Sequence, residues 1–197
     1  MGGKRRQEEH AGPADLGMLT LRLVVGGLLA GHGAQKLFGA FGGHGLEGTG
    51  GWLESMGFRP GTQWALLAGL SEFGGGSLTA LGLLHPLGPI ATLGAMTVAT
   101  VNVHAGKPIW VTEGGAELPV TNIAAALALA LVGPGAFSLD HALGIRVPKA
   151  VTALGLLAVG AGVIVAETRP RAASTETTDV AGAEVQGGEG AGQAEPL

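Results

Sequence analysis

The stretch at residues 16–38, LGMLTLRLVVGGLLAGHGAQKLF, constrains this chain more than any other. A bilayer-crossing helix needs about 20 mostly apolar residues, and this stretch meets that length. It also carries Arg22, His32, Gln35 and Lys36. At about 100° per residue, His32, Gln35 and Lys36 share one helix face, and Arg22 lies within about 80° of it. Inside a membrane, such a polar stripe turns towards other helices or a wet cavity, because lipid cannot satisfy it. The later apolar runs are then the partners that accept it.

Those runs stand out because charge is scarce. The chain has 197 residues, of which 13% are charged, against about 25% in an ordinary soluble domain. There is no Asp, Glu, Lys or Arg between Phe73 and Gly106, nor between Leu118 and Leu139. Residues 63–84 form a second span with Glu72 as its only charge, and after Phe73 come Gly74, Gly75 and Gly76. His85-Pro86 and Pro89 force a break, and a third span runs over 87–106. A fourth, over 118–132, stops at Gly133-Pro134-Gly135. A fifth apolar run, 150–166, lies at the lower edge of spanning length.

The expected fold class is therefore all-α: a membrane four-helix bundle over 16–141, with an appended fifth transmembrane helix. A polar N-terminal segment, 1–15, precedes the bundle. A linker and the fifth helix occupy 142–167. The acidic remainder, 168–197, buries too little apolar surface to fold and reads as a disordered tail. Residues 39–62 connect the first two spans. Around Trp52, Leu53, Met56 and Phe58 they form either one or two turns of interfacial helix or an ordered loop over the bundle. Residues 107–117 form a second loop on the same side. The basic start, Lys4-Arg5-Arg6, could open a signal peptide, but Arg22 interrupts the apolar run and no A-x-A site follows promptly, which favours an uncleaved first span. Lys and Arg divide evenly between the two sides over the whole chain. Over the first four helices they favour an inside N-terminus. The expected setting is an integral, multi-pass protein of the plasma membrane, with the lipid bilayer as its first partner.

Several chemistries are excluded. The chain has no Cys, so it offers no thiolate for catalysis, for zinc or for iron–sulfur clusters. A net charge of −4 without a basic patch gives no basis for nucleic-acid binding. The segment GAFGGHG follows a helix and not a strand, so a dinucleotide loop fails on context. No metal site is expected. A bis-histidine haem between His32 and His104 has nothing else to support it.

At about 1.5 Å of rise per residue, polar groups from four spans fall at similar depths below the face carrying the two long loops. His32 lies roughly 9 Å down, Glu72 roughly 13 Å, Asn102 roughly 7 Å, His104 roughly 5 Å and Asn122 roughly 6 Å, with Lys36 near the surface. Arg22 is roughly 24 Å down, towards the opposite face. One reading is a ligand pocket lined by Arg22, His32, Gln35, Lys36, Glu72, Asn102, His104 and Asn122, with Glu72 at its floor. The other is a set of interhelical bonds and an ion pair that fix helix register.

Five segments, in order, resemble the DoxX family of small membrane proteins: HGAQKLFG at 32–39, AGLSEFGG at 68–75, Asn102-Val103-His104, Glu117-Leu118-Pro119, and GPGAFSLD at 133–140. They cover residues 16–141. The resemblance implies a four-helix membrane bundle and is silent on the fifth run and the tail. Two roles remain open, of which the resemblance implies the first. One is a subunit of a membrane oxidoreductase complex with a quinone as its ligand and other redox subunits as partners, His32, Lys36, Glu72 and His104 surrounding the headgroup. The other is a non-enzymatic scaffold or assembly partner. A small-solute carrier is disfavoured by the lack of an inverted repeat.

Overall fold

Prolines punctuate the helices. The computed structural model describes residues 11–169, and among them all regular structure is helical. Helix α1 spans Pro13–Phe38 with proline in its first turn, where the missing amide hydrogen costs nothing. Pro60, Pro86 and Pro148 occupy the N-cap positions of α3 (Gly61–Leu81), α4 (Leu87–Asn102) and α7 (Lys149–Thr168). Helix α2 covers Gly45–Ser55, α5 covers Glu117–Val132, and the one-turn α6 covers Leu139–Leu143. The expected tail lies, beyond Arg169, outside the described residues, as does most of the polar N-terminal segment.

The all-α expectation holds, with two local differences. The 39–62 connection contains three turns of helix, α2, despite glycine at 45, 48, 50 and 51. Each glycine costs about 1 kcal/mol in a helix interior. Tertiary packing overrides this: Leu53 and Phe58 are buried in one cluster with Ala65 and Ala166, flanked by Leu46, Met56, Trp64 and Val98. The linker after α5 also holds a short helix, α6, whose N-cap Ser138 accepts the amide of His141.

The bundle is built on α1 and α3, the most extensive helix pair. They run antiparallel at backbone contact distance. A Cβ added to Gly26 would lie 2.6 Å from the Ala80 nitrogen, and one on Gly76 would lie 2.5 Å from the Ala30 nitrogen. Gly33 meets the Phe73 backbone in the same way. Small residues permit this approach where lipid offers no hydrophobic gain between helices. The contacts also set a stagger. Gly69 faces Leu37, so the first two turns of α3 rise past the end of α1, and α2 packs against α3. Helix α4 packs on α3, and α5 and α7 both pack on α4.

The outer surface is apolar. Leu131 is 85% exposed, and Leu28, Leu67, Leu154 and Leu157 also point outwards. Helices α1 and α7 are long and apolar enough to cross a membrane, with mean hydropathies of 1.5 and 2.0. Only 17% and 6% of these windows is buried, so neither behaves as the core helix of a soluble protein. Helices α4 and α5, 16 residues each, are about 24 Å long and fall short of a bilayer core of about 30 Å.

Candidate ligand cavity

A cavity of about 600 Å³ opens among α1, α2, α3, α4, α5 and α7. Its walls are mostly apolar, with Trp52, Leu53, Phe58 and Trp64 at one end and Ala158, Val159 and Gly162 of α7 along a side. The polar groups that reach it are His32 and Lys36 from α1, Thr49 from α2, Ser71 and Glu72 from α3, His104 after α4, and Asn122 from α5. Such a half-open recess, apolar with a few converging polar groups, has the composition common to small-molecule sites.

The α1–α3 stagger brings Lys36 and Glu72 together. Lys36 Nζ donates to Glu72 Oε2 in a direct ion pair. Glu72 is 4% exposed, while the Lys36 side chain keeps 27% of its surface. The register explains the pair. With Leu37 opposite Gly69 and Gly33 opposite Phe73, Lys36 and Glu72 stand within one turn of each other. Measured from the end of α1, Glu72 is about 6 Å deep. Counting from the start of α3 overstates this, because α3 begins above α1. The carboxylate therefore sits one turn below the end of α1. Its charge is compensated, as burial requires.

The two histidines are each held by one ring nitrogen. His32 Nδ1 lies 3.0 Å from Gln35 Oε1, and Gln35 Nε2 donates to the Phe41 carbonyl at 3.5 Å. His104 Nδ1 lies 2.6 Å from the Gly114 carbonyl, which ties the end of α4 to the 107–117 loop. Asn122 Nδ2 contacts Met96 Sδ at 3.7 Å.

Of the eight residues named from sequence, five line the cavity: His32, Lys36, Glu72, His104 and Asn122. Gln35 stands behind His32 and orients it. Asn102 is turned to α7 instead. Its Nδ2 donates to Glu167 Oε1 at 2.6 Å, and its Oδ1 accepts from Arg169 Nη2 at 3.1 Å. The Arg169 guanidinium also lies 3.1 Å from the centre of the Phe58 ring. Arg22 belongs to the far end of the bundle. It is 3% exposed, donates from Nη2 to the Phe137 carbonyl at 2.9 Å, and lines a separate cavity of about 10 Å³ with Thr79, Gly82 and His85. That volume suits about one water, so this end is no organic-ligand site. Nearby, Asp140 accepts the amides of Leu84 and His85 at 2.8 and 2.7 Å. Burial holds the His85 imidazole below its ordinary value of 6.5.

Sequence reasoning missed Thr49, Ser71, Trp64 and the whole α7 wall. Gly155 and Gly162 are a signal that was present. They stand seven residues apart on one α7 face, where a Cβ on Gly155 would touch Leu87 of α4 at 3.2 Å. Among the described residues, no group of three His, Asp or Glu is placed to hold a metal.

The DoxX family model matches residues 17–105. The match ends after His104, so it takes in α1 to α4 and leaves α5 and α7 outside. It is narrower than the 16–141 stretch of the sequence resemblance. No curated protein and no solved structure matches the chain.

Proposed function

We propose, from the match of the DoxX family model to residues 17–105, that this chain is a membrane subunit of an oxidoreductase complex whose cavity holds a quinone-type or other small amphipathic ligand. The family and the outward-facing apolar helices together point to an integral membrane protein. In the proposed arrangement α1, α3, α4 and α5 form the bundle over 16–141, α7 supplies the fifth crossing expected in 142–167, and the N-terminus faces the inside of the plasma membrane.

The observation that carries the reading is the cavity of about 600 Å³ with a Lys36–Glu72 pair at its wall. A register-fixing ion pair alone calls for no space beside it. An amphipath with a compact polar head and an apolar body matches both parts: the head meets Lys36, Glu72, His32 and His104, and the body lies along Trp52, Phe58, Trp64 and α7. Without Cys, the chain itself has no thiol to oxidise, so electrons would pass through the ligand to a partner subunit.

A scaffold or assembly role is favoured by one feature: α7 packs on α4 and turns Leu154, Leu157 and Ile164 outwards, a face open to another transmembrane subunit. The two readings separate on purification in mild detergent. The ligand reading expects quinone to co-purify in near-stoichiometric amount, detected by absorbance and mass spectrometry, and to be lost from Glu72→Gln. A chain that stays empty when purified and when supplied with quinone is the result expected of a scaffold.

A further inference from the structure

We propose that the cavity selects a neutral amphipath whose head donates hydrogen bonds, a dihydroxy-aromatic (hydroquinone-type) head, over the carbonyl-only head of the oxidised form. This rests on the cavity being the ligand site described above.

The hydrogen positions on the two histidines decide it. Gln35 Nε2 is directed to the Phe41 carbonyl, so the atom 3.0 Å from His32 Nδ1 is the amide oxygen. An amide oxygen only accepts, so His32 Nδ1 carries the hydrogen. His104 Nδ1 faces a backbone carbonyl, which also only accepts, so it carries the hydrogen as well. In the neutral ring, both histidines are left with Nε2 as a lone-pair acceptor. Both line the cavity. The Glu72 carboxylate adds further acceptor capacity, and Asn122 Oδ1 another. On the donor side stand the remaining Lys36 hydrogens, the Asn122 amide, the Thr49 hydroxyl and the indole N–H groups of Trp52 and Trp64.

Charge narrows the class further. Lys36 and Glu72 cancel each other by direct contact, so the wall carries no net charge when both rings are neutral. An anionic head would enter a largely apolar space with no unmatched cation to meet it, which is costly. A neutral head with two hydroxyls offers two hydrogens to the two imidazoles. A quinone head offers only acceptors and leaves both Nε2 atoms facing lone pairs. A site built to receive hydroxyls discriminates against the analogue that lacks them to the extent that its own polar groups are shielded and left unpaired, which here falls more on His104 and Glu72 than on the exposed His32.

The test uses the full chain in lipid nanodiscs, under anaerobic conditions at pH 8, where imidazole is neutral. A decyl-tailed benzoquinone and its hydroquinone are titrated separately by calorimetry. The expected result is at least about tenfold tighter binding of the hydroquinone, which raises the midpoint potential of the bound two-electron couple by about 30 mV. His32 is an exposed residue, so His32→Leu leaves the fold intact and should lower the ratio by weakening hydroquinone binding alone. Equal affinities, tighter quinone binding, or a ratio unchanged in His32→Leu would overturn the inference and leave the cavity as a quinone-type site. Binding of neither form would overturn that underlying reading as well.

Discussion

Asp140 Oδ1 accepts the amide of Leu84 at 2.8 Å, and Leu84 is held at a φ of +52°, a region that non-glycine residues rarely enter. The second carboxylate oxygen takes the amide of His85 at 2.7 Å. Asp140 thereby fixes the turn between α3 and α4 from a segment more than fifty residues away. It also lies close enough to buried Arg22 to interact with its charge. Strain of this kind costs about 1–3 kcal/mol and persists only where the surroundings enforce it.

Asp140→Leu removes both acceptors, leaves two amides without their partner and takes away the carboxylate charge near Arg22. The expected loss of stability is about 3 kcal/mol. Asp140→Asn keeps the shape and one acceptor and should cost about half as much. Thermal unfolding in mild detergent measures both. A change below about 0.5 kcal/mol for the leucine variant would show that the turn holds itself.

Glu72→Gln should leave the bundle folded and weaken ligand binding, since it keeps shape and removes charge. Glu72→Leu should in addition lower stability by about 2 kcal/mol. That figure is below the range for a dry pair because Lys36 keeps part of its surface and can swing its ammonium outwards. Unfolding midpoints and ligand titrations on the two variants separate these effects. If Glu72→Gln binds ligand as the unsubstituted chain does, the pair serves register alone.

His85 makes the far end of the bundle sensitive to acid. Burial depresses its folded value below 6.5, so the unfolded chain binds the proton more readily than the folded one. The stability that depends on a neutral ring is present above about pH 6.5 and is lost as pH falls below it. Between pH 7.5 and 5.5 the unfolding temperature should therefore drop, and His85→Gln should remove part of that drop. An unchanged slope in the variant would assign the effect to other groups.

Asn102 secures the C-terminal end of α7 through Glu167 and Arg169. Among the described residues of α7, Ala166 alone is fully buried, so this polar mooring carries much of the attachment. Asn102→Ala should loosen the α7 wall of the cavity. The chain has no native Cys, so a single Val159→Cys reports cleanly. Its labelling by a membrane-permeant maleimide should speed up several-fold when Asn102→Ala is added. Equal rates would place the attachment in the α4–α7 packing instead.

Sequence by itself determined the helical class, the order of the apolar runs and most helix ends. Hydropathy and charge depletion mark a run whatever it packs against, and Pro13, Pro60, Pro86, Pro148 and the 133–135 stop act locally through backbone geometry. It also singled out Lys36, Glu72, His32 and His104, because polar groups in apolar runs are conspicuous in one dimension. Tertiary structure alone decided how those groups combine. The Gly26, Gly33 and Gly76 contacts set the α1–α3 stagger, and the stagger puts Glu72 beside Lys36 and one turn below the end of α1. A depth counted along one helix has no knowledge of where its neighbour begins. The same limit hid the pairing of Arg22 with the 137–140 segment and of Asn102 with α7, whose partners lie more than sixty residues along the chain. It left α2 undecided between a turn or two of helix and an ordered loop, since glycine-rich sequence disfavours helix until Leu53 and Phe58 find a core to enter. Periodicity reports that a face is polar or small; which helix meets that face is fixed by packing between surfaces far apart in sequence.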